Sequence, residues 1–292
     1  MKEILKKVRR LEIKTRRMVD TTFAGEYHSA FKGQGLEFDE VRLYQFGDDI
    51  RSIDWNVTAK TGQVHIKKFR EEREQTMFVL FDVSASEDFG HGSTNKLQIG
   101  TEITAILAFS AMKNNDKIGV LTFSDQVERF FAPKKGRKHI LSIIRGLLQT
   151  HGRSRLTSLK AGIDFARKML RRHSIVIVIS DFLDDGYEKA LTQLSQRHEV
   201  ILVRLFNPDE VMHRGIGTIP VRDNETGRML WLNAGDTGYR KKVWRRFEEI
   251  HEHLDRLCKK TKMDLVQINT NTDYFVELEK FFRKRNARKK RG

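Results

Sequence analysis

The chain has one cysteine, Cys258, so it cannot form an internal disulfide, and its composition suits a reducing cytoplasm. Three prolines and no Ser/Gly-rich tract argue against a long flexible linker. No apolar run approaches the roughly 18 residues needed to cross a bilayer. The opening stretch MKEILKKVRRLEIKTRR is too interrupted by charge to serve as a signal-peptide core. These shortages predict a soluble, unprocessed, cytoplasmic protein.

Signatures of catalysis are missing as well. There is no G-x-x-x-x-G-K-[ST] run, so ATP hydrolysis would have to come from a partner, and no G-x-S-x-G nucleophile elbow. The ten histidines show no zinc-like spacing. His251 and His253 are two apart, so a helix points them in different directions. An aspartate closing an apolar strand also opens the haloacid dehalogenase motif, but Ser84 stands where that chemistry needs its second Asp. His91, the histidine nearest to Ser84 and Ser86, lies in a surface-like loop, so no base is placed for a serine nucleophile. The chain is expected not to be an enzyme.

What the chain has in excess is positive charge, a formal net of +16 over 292 residues. Residues 1–17 carry eight Lys/Arg against two Glu, and residues 283–292, RKRNARKKRG, carry seven with no acid. Those two ends hold +13 of the total, leaving +3 for everything between. Such ends suggest nucleic-acid or anionic-membrane binding by counterion release as an alternative function. Aromatics interleaved for base stacking are missing there.

Hydropathy divides the chain further. Residues 1–20 suit a basic amphipathic helix, with Ile4, Val8, Leu11 and Met18 near one face. Residues 21–74 contain a Gly- and Asp-studded, β-rich segment. From residue 75 to 282, apolar strand candidates at 77–82, 118–123, 175–180, 200–206 and 265–268 alternate with helical patterns at 95–113, 138–149, 159–170, 243–257 and 274–282. Unbroken apolar strands alternating with helices predict an α/β fold, a doubly wound, mostly parallel sheet covered on both faces. Two alternating runs around Asp223-Asn224-Glu225-Thr226-Gly227 predict an inserted hairpin over 216–234. Residues 283–292 are expected to be a disordered tail, and Cys258 to be packing.

The strand FVLFDVSAS, from residue 78, ends in a carboxylate followed by hydroxyls at alternate positions. SIVIVISDF closes on Asp181 in the same way. In an open parallel sheet, strand ends of this kind face the crevice where ligands collect. Two carboxylates in one crevice repel, by about 4 kcal/mol at 4 Å and an effective dielectric near 20. A hard divalent cation offsets that repulsion, and Ser84 and Ser86 offer it neutral oxygen donors. Arg153 or Arg155 is an alternative source of positive charge, as an internal guanidinium.

DVSAS matches the D-x-S-x-S signature of the metal-ion-dependent adhesion site, and the region resembles von Willebrand factor type A domains, a Rossmann-like fold. The resemblance implies a third hydroxyl from a threonine opening a later helix, matched by Thr157 in RLTSLKAGIDFA, and an aspartate after the fourth strand, matched by Asp181. The implied metal ligands are therefore Asp82, Ser84, Ser86, Thr157 and Asp181, holding Mg²⁺, or Mn²⁺ or Ca²⁺. The usual small residues before the threonine are replaced here by Arg155 and Leu156.

Upstream, YQFGDDIRSIDWNVTAKTG followed by Glu72-Arg73 is similar to the family catalogued as domain of unknown function 58. Gly47, Asp48, Asp49, Arg51, Ile53, Asp54, Trp55, Ala59 and Lys60 carry the likeness. In the residue-level reading, Trp55 covers the core while Asp48, Asp49 and Asp54 cap turns or pair with Arg51. The family resemblance implies a non-enzymatic adaptor, accessory to a MoxR-type AAA+ ATPase or its client in protein assembly or maturation.

Overall fold

The computed structural model describes residues 2–19, 36–71, 75–84, 95–150, 156–207, 218–222, 229–233 and 237–289. By its contacts the chain divides into two compact units, Phe31–Gln75 and the remainder.

In the smaller unit, β1 (Leu36–Leu43) pairs antiparallel with β2 (His65–Glu71), with an irregularity between Phe38 and Glu40. A 3-10 turn, Ile50–Ser52, and helix α2 (Trp55–Thr61) lie between the two strands. The acidic motif residues shape this connection. Asp48 accepts both Nη atoms of Arg42, at 2.9 and 2.7 Å, and the backbone N–H of Gln45 at 2.8 Å. Asp49 accepts from the Arg51 N–H and caps the 3-10 turn. Asp54 caps α2 by accepting from the N–H groups of Asn56 and Val57, and Gly62 ends the helix in the left-handed conformation that a Cβ disfavours. Two expectations need correction. Asp48 pairs with Arg42 instead of Arg51, and Trp55 is 67% exposed instead of covering a core. The Asp54 cap places Trp55 at the first helical position, and α2 is too short to bury residues on that side.

The larger unit starts with α1 (Lys2–Met18) and is built on a six-stranded sheet. Its strands are β3 (Thr76–Asp82), β4 (Lys117–Phe123), β5 (Val127–Lys134), β6 (Ile175–Ser180), β7 (Glu199–Phe206) and β10 (Asp264–Asn269). Their spatial order is β10-β7-β6-β3-β4-β5, parallel except for the antiparallel edge strand β5. The chain runs outward from β3 to β4 and β5, then returns to β6 on the other side of β3. The order therefore reverses between β3 and β6, which opens the ligand crevice of such sheets above those two strands.

One face of the sheet packs on α5 (Leu159–Met169), α6 (Glu188–Ser195) and α7 (Thr237–Thr261). Phe78, Leu80, Leu121, Phe123, Val176 and Val178 face this layer. The other face carries α3 (Lys96–Lys113), α4 (Arg137–Leu148) and α8 (Tyr274–Lys289). Helix α3 is buried almost all round because α1 covers its outer side, which explains its nearly uncharged sequence. Gly100 makes room for the Phe81 ring, bringing α3 close to β3. A separate antiparallel pair, β8 (Thr218–Arg222) and β9 (Met229–Asn233), lies within the expected hairpin.

The doubly wound, mostly parallel α/β architecture is the one expected. The tail is not as expected: residues 283–289 extend α8 instead of being disordered. Arg285 is buried and pairs with Asp264 and Glu199, and Arg288 reaches Asp264 at 3.3 Å. Part of the terminal charge is thus neutralised inside the fold. Cys258 is buried, as packing requires. Among the described residues, no helix is long and apolar enough to cross a membrane.

Candidate metal centre

Strand β3 carries Asp82 to the crest of the sheet. With β4 on one side and β6 on the other, its backbone groups are paired in ladders and its interior side chains can be wholly apolar. The Val83 N–H donates to the Phe123 carbonyl at 2.8 Å, extending the β3–β4 ladder one residue past the strand. Asp82 is fully buried there. Its Oδ1 accepts from the Ser84 N–H at 3.0 Å, and its Oδ2 accepts from the Ser180 hydroxyl at 2.8 Å. The hydroxyl of Ser84, itself buried, also bonds to this carboxyl.

Asp181 follows the last residue of β6 and is buried too. Its Oδ1 accepts from the Leu183 N–H at 3.2 Å, and its Oδ2 accepts from Lys96 Nζ at 3.1 Å. Between these bonds the chain turns through Phe182, whose φ of 59° is an uncommon value for an aromatic residue. Such a conformation costs on the order of 1–3 kcal/mol and persists only when its surroundings hold it. Here the Phe182 N–H donates to the Ser180 Oγ at 3.1 Å, and the ring is buried 6.0 Å from that of Tyr187.

Thr157 comes to the same edge of the sheet from another direction. The Ser158 N–H donates to the Ser124 carbonyl at 2.9 Å, anchoring this segment just past β4. Ser158 Oγ then caps α5 by accepting from Ala161 N–H, and Asp184 Oδ2 accepts from Leu159 N–H at 2.8 Å. Asp184 thereby ties the loop after Asp181 to the helix that Thr157 precedes. Thr157 Oγ1 is buried and makes no hydrogen bond.

The electrostatics are those of a centre with surplus negative charge. Desolvation, then the nearby charge of Asp181, pushes the Asp82 carboxyl up to about 7, against the pull of its Ser84 and Ser180 donors. Lys96 offsets one of the two carboxylates.

The structure therefore brings together Asp82, Ser84 and Asp181, with Thr157 at the same sheet edge. Ser86, Arg153 and Arg155 lie outside the described residues. Lys96, Ser180 and Asp184 have parts here that the motif did not reveal. Lys96 is discernible only as a basic residue opening a helix whose other charges are Glu102 and Lys113. Ser180 is discernible only as a hydroxyl ending an apolar strand.

The donor set fits a hard divalent cation. Among the described residues, no group of three or more His, Cys, Asp or Glu side chains could hold a metal, so hydroxyls or waters would complete any shell built on these two carboxylates. The orphaned Thr157 oxygen supplies one where a buried polar atom otherwise lacks a partner.

Residues 40–253 match the family described as Protein of unknown function DUF58. The uncharacterized protein Mb1516 of Mycobacterium bovis is 27% identical over 278 residues, covering 94% of this chain and 87% of its own length. The uncharacterized protein YeaD of Bacillus subtilis is 27% identical over 111 residues, covering 38% of this chain and 26% of its own. Among solved structures, BatB from Bacteroides thetaiotaomicron is similar over 73% of this chain and 99% of its own, at TM-score 0.49 and 14% identity. The SpRpn10 VWA domain is similar over 70% and 93%, at TM-score 0.40 and 14% identity. With a match spanning both units and most of its length, the chain belongs to the DUF58 family.

Proposed function

We propose that this protein is a non-enzymatic adaptor that captures an acidic side chain of a protein partner through a divalent cation. Asp82, Ser84, Ser86, Thr157 and Asp181 are the residues that would hold Mg²⁺, or Mn²⁺ or Ca²⁺. When bound, the ion supplies a coordination position that a partner's Glu or Asp can fill. The observation that carries this reading is the buried, unpartnered Thr157 Oγ1 at the sheet edge where Asp82 and Asp181 end their strands.

The chain's own residues prepare the site. Ser180 and the Ser84 backbone orient Asp82, the Leu183 N–H orients Asp181, and Asp184 fixes the start of α5 next to Thr157. Two carboxylates balance the ion while the hydroxyls stay neutral, so the centre retains attraction for a third carboxylate. The family resemblance makes a MoxR-type AAA+ ATPase the first partner to test.

Capture of the purified ATPase on immobilised protein tests the reading. Binding should require Mg²⁺, disappear with chelator or with Asp82→Ala, and survive replacement of the exposed Lys6, Arg9, Arg10 and Lys284 by Gln. Capture that survives Asp82→Ala but fails when those basic residues are replaced overturns it, in favour of binding through the charged ends.

A further inference from the structure

Lys96 is the most conspicuous group at the centre that the metal-site pattern does not require. Its side chain is 1% exposed, and its ammonium lies 3.1 Å from Asp181 Oδ2, whose side chain is 4% exposed. Lysine is almost never buried to this degree without a specific partner. The position is also unfavourable for a cation, because Lys96 is the first residue of α3, where the helix dipole favours negative charge. Burial and the dipole both oppose it, so its placement is explained by what it contacts. One of its contacts is Asp181, one of the two carboxylates that would balance a divalent ion.

The two aspartates are treated differently. Asp82 is held by neutral donors, the Ser84 N–H and the Ser180 hydroxyl, which can stay in place beside a metal. Asp181 is held by one neutral donor, the Leu183 N–H, and by a full positive charge. An ammonium offers three donors and no lone pair, so it cannot join a coordination shell. Beside a carboxylate that is also to bind a cation, its positive charge opposes the ion. Lys96 is carried on a four-carbon stem that can move its charge without moving the helix.

We propose that Lys96 is a tethered competitor for the metal: it neutralises Asp181 when no divalent ion is bound and is displaced from that carboxylate when one binds. The inference rests on the metal-site reading above and adds a regulatory element to it. Ion loading is coupled to movement of the first side chain of α3, so half of the centre's negative charge is compensated without its ion and weak or stray cations are resisted. Lys96 supplies an internal cation beside Asp181, and Arg153 and Arg155, the alternative source of such a charge, lie outside the described residues.

Mn²⁺ titration of the whole protein, followed by calorimetry and by the paramagnetic resonance of free Mn²⁺, tests this with Lys96→Met, which keeps side-chain length and removes the charge. Lys96→Met should bind Mn²⁺ about tenfold or more tightly than the native protein. Equal affinities, with Asp82→Asn abolishing both, overturn the role of Lys96 while the metal site stands. Weaker binding by Lys96→Met also overturns it, since Lys96 would then support the ligand set. No binding by either protein at millimolar Mn²⁺ overturns both readings. Should Lys96→Met fail to fold, acylation of Lys96 in the native protein, followed by mass spectrometry, gives the same decision. Mn²⁺ should raise its reactivity severalfold, and unchanged reactivity overturns the proposal.

Discussion

Ser180 donates its hydroxyl proton to Asp82 Oδ2 at 2.8 Å, while its oxygen accepts the N–H of Phe182 at 3.1 Å. One side chain thus joins the first carboxylate of the centre to the turn that carries the second. Ser180→Ala removes both bonds and leaves a fully buried carboxyl short of a donor. Loss of a hydrogen bond to a charged group costs about 1.5–3 kcal/mol, and urea unfolding of the variant should show a loss in that range.

A second clamp lies away from the centre. Glu102 accepts from Lys14 of α1 at 2.6 Å and from the Tyr274 hydroxyl of α8, joining three helices through one carboxylate. Burial raises the Glu102 pKa, but the Lys14 and Tyr274 bonds outweigh it, so the folded value lies below the ordinary one. A depressed carboxylate adds stability above its unfolded pKa and loses it as pH falls through the folded value. Unfolding measured from pH 7 down to pH 3 should therefore show a steeper acid loss in the native protein than in Glu102→Gln. Parallel acid profiles would exclude the clamp.

The approach of α3 to the strand beneath the centre depends on Gly100, where a Cβ would collide with the Phe81 ring. Both partners are fully packed, so Gly100→Ala must force one of them to shift. We expect a loss of about 1–3 kcal/mol in urea unfolding. A neutral or stabilising outcome would show that α3 has room to move.

Four of the five strands read from the sequence are central, and burial on both faces writes them as continuous apolar runs, while the fifth, β10, is an edge strand with a short apolar stretch. Strand β5 was not legible in that way. VERFFAPK is an antiparallel edge whose side chains alternate between partial burial and exposure, and it contains a proline. The carboxylates and the hydroxyl of Ser84 were legible because each stands beside a strand end, where local pattern fixes position. Lys96 was not, since its partner is 85 residues away and only the fold brings them together. The same holds for residues 283–289: their charge run reads as solvated until Asp264 and Glu199 are set against Arg285.

The most direct test is anomalous diffraction from crystals of the protein grown with millimolar Mn²⁺. A single Mn²⁺ peak should lie roughly 2 Å from those oxygens of the Asp82, Ser84, Ser86, Thr157 and Asp181 set that ligate it directly, the others reaching it through bound water, with the Lys96 ammonium withdrawn from Asp181. No peak at that crest, with Lys96 still on Asp181, would contradict a metal-dependent capture site.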